Sequence, residues 1–256
     1  MLDLPSSPQW VWPPARDHLC GCFAKPQAAQ VALVGNGPLS VSQREDIGGA
    51  DCIIRFNQLH NRQQGERTDV WFVRGSFFPA GNLTRQVARE AKWVVLAHAF
   101  REELDSSDKD QESHVSDLRS HWSAALDATV ESSGLGAAER AKMLAVDLTQ
   151  HQALWDRIAT GLGYPRRDFQ HQGQVIRGNN PSSGLVALLA LLDCLPGDAT
   201  IHLYGFNWSS SNWVGHLMKL ERSFIQAYSR QLAGRLLIHP TPCSGYRECE
   251  EVKPAG

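Results

Sequence analysis

Short apolar runs, separated by segments with helical spacing, set the narrowest limit on what this chain folds into. VALVG begins at residue 31, DCIIRFN at 51, DVWFVR at 69, KWVVLAH at 92 and TIHLYGF at 200. Their apolar residues sit on consecutive rather than alternate positions, as a strand buried on both faces requires. Between the third and fourth runs, NLTRQVAREA carries Leu83, Val87 and Ala91 at helical spacing, and PSSGLVALLALLDCL (181–195) reads as a Leu-rich helix with Pro181 at its start. A parallel return needs a crossover of about a dozen residues, so this alternation predicts an α/β domain with a mostly parallel central sheet flanked by helices.

The rest of the chain is read around that frame. Residues 1–29 hold five prolines with Trp10 and Trp12 between them and predict an irregular arm packed on the domain; 30–242 form the α/β domain and 243–256 a tail. The polar stretch 101–117 reads as an exposed loop, and 137–162 as a long helix or helix pair closed by Gly161 and Gly163. A helix from about 216 to 233 and a strand over 235–239 complete the expected order. Twenty-five Lys and Arg against 27 Asp and Glu give a net charge of -2, which supplies no basic field for nucleic acid or an anionic membrane. No apolar run approaches the roughly 18 residues of a membrane span, and the N-terminus lacks the pattern of a secretory signal, so a cytoplasmic protein is expected. Six cysteines fit a reducing compartment, with Cys52 and Cys194 inside apolar patterns, although the even count leaves disulfides open.

Three places carry residues suited to chemistry. GNGPLS (35–40) follows the first strand, where glycines let a backbone approach a ligand phosphate and turn N–H groups point at the anion; this makes Gly35, Asn36 and Gly37 candidate nucleotide contacts. Ser40 stands where a dinucleotide fingerprint has its third glycine or alanine, and Arg55 and Asn57 end the second strand in place of an acid, leaving an NADP-type oxidoreductase as one alternative. GNNPSSG (178–184) opens the Leu-rich helix, so Asn180, Ser182, Ser183 and Gly184 either hold an anion or simply cap the helix. His216 lies at a strand-to-helix junction with Glu221 five residues on, which suits a general base, its acid either orienting it or stabilising the helix start.

Two metal motifs fail on context. Asp108-Lys109-Asp110 is a D-x-D, but it sits in a polar run with no apolar strand before it. Cys20 and Cys22 with Cys243 and Cys249 do not have the spacing of a common zinc module. No metal site is expected. Trp208 and Trp213 flank the proposed base and are candidates for stacking a sugar, with plain packing as the alternative.

Taken in order, the three segments resemble the conserved motifs of the sialyltransferases. VALVGNGPLSVSQREDIGGADCIIRFN is similar to the large sialylmotif, an apolar strand and VGNG followed by a second strand closing on R-x-N. NNPSSGLVALLALLDCLPGDATIHLYGF resembles the small motif with its PS-[ST]-G and YGF, and His216 with Glu221 matches the very small motif, H-x4-E. The resemblance covers about 31–74 and 178–225. It implies a single GT-A-like domain that, without a metal or other cofactor, transfers an acidic sugar from a CMP-sugar donor to a glycan or glycolipid hydroxyl with inversion. Carried over, it puts Asn36 and Asn57 on the donor phosphate and ribose, Ser182, Ser183 and Gly184 on the cytidine and ribose side, and His216 as general base. Sialic acid and Kdo both fit, being 2-keto acids carried on CMP.

The chain also departs from the pattern. Ala29 and Gln30 stand where animal members have a cysteine that pairs with one in the small motif, so that disulfide is not expected unless Cys20 or Cys22 reaches Cys194. Asn180 replaces the usual aromatic residue before PS-[ST]-G, and NWSSSNWVG (207–215) has no histidine where the family places one on the leaving phosphate. These departures keep a second alternative open, a CMP-binding regulatory protein without catalysis.

Overall fold

A computed structural model describes residues 30–74, 81–98, 135–147, 159–160, 163–164, 169–171, 174–176, 181–195, 197–208, 218–232 and 234–242. The strands are β1 (Gln30–Val34), β2 (Cys52–Phe56), β3 (Val70–Arg74), β4 (Trp93–His98), β5 (Met143–Asp147), β6 (Phe169–His171), β7 (Gln174–Ile176), β8 (Thr200–Tyr204) and β9 (Leu236–Ile238). Among the described residues the main helices are α1 (Val41–Gly49), α2 (Gly81–Glu90), α3 (Ala137–Arg140), α4 (Ser183–Cys194) and α5 (Met218–Gln231). Seven strands form one sheet in the order β5-β4-β3-β2-β1-β8-β9, every pairing parallel, while β6 and β7 make a separate antiparallel pair. The α/β class expected from the apolar runs is the one observed.

Alternation along the strands divides the sheet into two faces. Val31, Leu33, Ile54, Phe56, Val70, Phe72, Ile201 and Leu203 join Leu185, Leu188, Leu220, Phe224 and Ile225 in the largest core cluster, so α4 and α5 cover one face. Ala32, Val34, Ile53 and Tyr204 pack with Ile47 of α1, and Trp71, Val73 and Val94 with Val87 and Ala88 of α2, so these helices cover the other. Burial on both sides explains why the central strands read as unbroken apolar runs.

Three expectations change. Of the stretch predicted as a long helix over 137–162, residues 137–147 are one helical turn followed by β5, which pairs with β4 from Val94–Met143 to His98–Asp147; 159–160 are helical, and 148–158 and 161–162 lie outside the described residues. MLAVD is a continuous apolar run of strand length, and periodicity alone does not separate such a run from a buried helix segment. Helix α1 was not anticipated, although SVSQ at its start is a capping box: Ser40 Oγ accepts from Gln43 N, and Gln43 Oε1 accepts from Ser40 N. The β6–β7 pair was also missed, because its strands are three residues long and rich in Gln and His.

At the β8–β9 side of the α1 face lies a polar aromatic stack. Tyr204 and His239 stack with centroids 4.1 Å apart, and His202 Nδ1 is 3.0 Å from His239 Nε2. His202 Nε2 meets Gln30 Oε1 at 2.7 Å. The Gln30 amide, His202 and His239 thus form one continuous hydrogen-bonded row. No helix among the described residues is long and apolar enough to cross a membrane.

The expectations for residues 1–29, 101–117 and 243–256, including Cys20, Cys22, Cys243, Cys249 and the D-x-D at 108–110, lie outside the described residues, as do Asn180, Trp213 and His216. Cys52 and Cys194 are half-buried, packed against the core.

Candidate functional site

The strand order turns back at β1. From there the chain runs outward through β2, β3, β4 and β5, then returns to add β8 and β9 on the opposite side. In open parallel sheets the crevice beyond the carboxyl ends of the strands at this switch point is where ligands bind. Gly35, Asn36 and Gly37 follow β1, Gly205 and Phe206 follow β8, and Asn57 follows β2. The register pairs Val34 with Arg55, so Asn36 and Asn57 each stand two residues beyond the same rung of adjacent strands.

The first turn is built differently from its sequence reading. Gly35 N donates to Tyr204 O at 2.7 Å and Gly37 N to Gly205 O at 2.8 Å, so both glycine N–H groups are taken by the β8 turn and not directed at an anion. A Cβ on Gly35 would lie 2.5 Å from Gly205 O, and one on Gly37 2.7 Å from the same oxygen. The glycines are needed for close passage of two backbones. Asn36, between them, is exposed.

Asn57 is held on three sides. Its backbone adopts φ 44°, a left-handed conformation uncommon for a residue with a side chain. Its N–H donates to Phe72 O at 2.9 Å, its carbonyl accepts from the fully buried Trp71 Nε1 at 2.9 Å, and its Nδ2 donates to Ser183 Oγ at 3.3 Å. That last bond joins the end of β2 to the first turn of α4, 126 residues later.

Ser182 is the N-cap of α4, its Oγ accepting from Leu185 N at 3.2 Å. The same hydroxyl donates to Glu221 Oε2 at 2.6 Å, and Ser182 N donates to Glu221 Oε1 at 2.7 Å. Glu221, inside α5, is completely buried, and burial raises its pKa to about 7 against the opposing pull of the two Ser182 bonds. Its observed partner is therefore the start of α4, a helix start other than that of its own helix. Capping, one of the two readings offered for Ser182, is the one seen. Ser183 and Gly184 open the helix, where first-turn N–H groups have no intrahelical acceptor. A Cβ on Gly184 would lie 2.7 Å from the ring of Phe206, which also meets Phe56 edge-on at 6.1 Å. Trp208 packs on Phe206 at 5.2 Å, so packing is the role observed for it.

Behind the first turn lies a charged network. Arg55, only 2% exposed, donates from Nη2 to Glu66 Oε2 at 2.9 Å and from Nη1 to Asn61 Oδ1 at 3.4 Å. Burial lowers its pKa to about 10 even with Glu66 raising it. The guanidinium that, with GNGPLS, motivated the NADP alternative is thus enclosed and paired with Glu66. Arg44 Nη1 reaches Glu66 Oε1 at 2.5 Å and Asn61 O at 2.9 Å. Asn61 Nδ2 donates to Gly35 O at 2.6 Å and Gly37 O at 2.7 Å. No property of the sequence marks Asn61, which sits in a polar loop.

Gly35, Asn36, Gly37, Asn57, Ser182, Ser183, Gly184 and Glu221 thus come from segments far apart in the chain and gather at the carboxyl end of the central strands. Among the described residues, no group of three or more His, Cys, Asp or Glu is placed to hold a metal ion. No protein-family model matches the chain, and no curated protein matches its sequence.

Proposed function

We propose that this chain is a GT-A-like, inverting glycosyltransferase related to the sialyltransferases, working without a metal and moving sialic acid or Kdo from a CMP-sugar to a glycan or glycolipid hydroxyl. One observation carries the reading: the segments resembling the three sialylmotifs touch one another, Asn57 to Ser183 and Glu221 to Ser182. Loss of CMP leaves positive charge on the sugar and negative charge on phosphate. The first-turn N–H groups of α4 and the amides of Asn36 and Asn57 suit the anion. His216 takes the proton of the attacking acceptor hydroxyl, since an imidazole titrates near neutrality. Glu221 acts at a distance from the reacting atoms, fixing the start of α4.

Release of CMP from CMP-sialic acid or CMP-Kdo tests the proposal. Wild-type chain is expected to turn over one of the two donors, and His216→Ala to slow it by about a hundredfold to ten-thousandfold. Equal turnover by the variant removes His216 from the mechanism. The second reading, a nucleotide-binding regulator, is favoured by the absence of histidine from residues 207–215. It expects tight CMP binding with neither hydrolysis nor transfer.

A further inference from the structure

We propose that Asn61 is a positioning residue for this site, its amide setting the turn that presents Asn36; the inference rests on the CMP-sugar reading. A primary amide has two N–H bonds, and here both are used on one short stretch, Gly35 O and Gly37 O at 2.6 and 2.7 Å. Those carbonyls bracket Asn36. The N–H groups of the same glycines are bonded to Tyr204 O and Gly205 O, so donor and acceptor of both residues are fixed and the peptide planes on either side of Asn36 do not rotate.

The orientation of the Asn61 amide is itself determined. Arg55 has only donors, so the Asn61 atom facing it is the oxygen and the NH2 faces the turn. Arg55 is anchored by Glu66, which also receives Arg44 and the Gln63 N–H. Arg44 in turn donates to the Asn61 carbonyl. The order from Glu66 through Arg55 and Asn61 to the glycines ends at Asn36, and none of the intermediate residues needs to touch the nucleotide.

A double-mutant cycle on CMP affinity, read by calorimetry, separates positioning from general support. Asn36→Ala and Asn61→Ala are each expected to weaken CMP about tenfold, and the double variant by little more than either alone, because residues acting through one contact do not add. Asn61→Ser, whose hydroxyl reaches one carbonyl, is expected to fall between wild type and alanine and serves if the alanine variant does not fold. Wild-type affinity in the Asn61 variants, or a double variant weakened by about a hundredfold, overturns the proposal while leaving the nucleotide reading standing. A wild-type chain with no affinity for CMP overturns both.

Discussion

Glu221 has no exposed surface, and both of its carboxyl oxygens are engaged by one serine. Truncation to alanine leaves a hole and a Ser182 N–H without its acceptor, for which we expect a loss on the order of 3 kcal/mol. Glu221→Gln retains the volume and the acceptor and is expected to stay within about 1 kcal/mol of wild type. The two variants also differ from wild type in pH response. Burial holds the Glu221 pKa near 7, so between about 4.5 and about 7 the folded chain keeps a proton that the unfolded chain has released. Wild-type stability therefore declines as pH rises through that window, and the glutamine variant lacks this contribution. Urea titrations at intervals from pH 4.5 to 8 measure it.

The His202–His239 bond spans neighbouring elements and behaves in the opposite sense. Burial, foremost, lowers both imidazole pKa values; His239 lowers His202 further, and Asp46 of α1 opposes the shift in each. The unfolded chain gains protons near pH 6.5 and the folded chain only below it, so this region loses stability as pH falls through and below 6.5. The His239 amide, bonded to Leu203 O, is expected to exchange faster at pH 5.5 than at 7.5 once intrinsic rates are removed, and His202→Phe to flatten that dependence. At this scale the sequence was legible where burial dictates residue type. The strands β1, β2, β3, β4 and β8 followed from their continuous apolar runs, and α4 from its leucines. Strand β5 was not, because MLAVD fits a helix until its pairing with β4 is known. Helix α1 buries only Gln43 and Ile47, too few for its periodicity to stand out. At the site, the sequence marked the glycines and asparagines without indicating what approaches them, so the N–H groups assigned to an anion are bonded to another turn. Asn61 and Trp71 donate from their side chains across 14 to 26 positions, which no local pattern encodes.

For the molecule as a whole, β1 is the member on which both halves of the sheet depend, paired with β2 on one side and β8 on the other. Leu33, completely buried in the core beneath α4 and α5, belongs to that strand. Leu33→Ala is expected to lower stability by about 2–5 kcal/mol. Exchange protection should fall together in β2 and β8 rather than on one side alone, as measured by amide exchange on the intact chain. The seam between those halves has a further consequence. Many ligand clefts adapt by bending about the line where two lobes meet. Here β1 and β8 are joined from Gln30–Thr200 to Val34–Tyr204, and beyond the strands the backbone is stitched again at Gly35 and Gly37. Among the described residues this seam is bonded along its whole length, so a ligand seated above it is met by adjustment of side chains and not by a changed angle between β1 and β8.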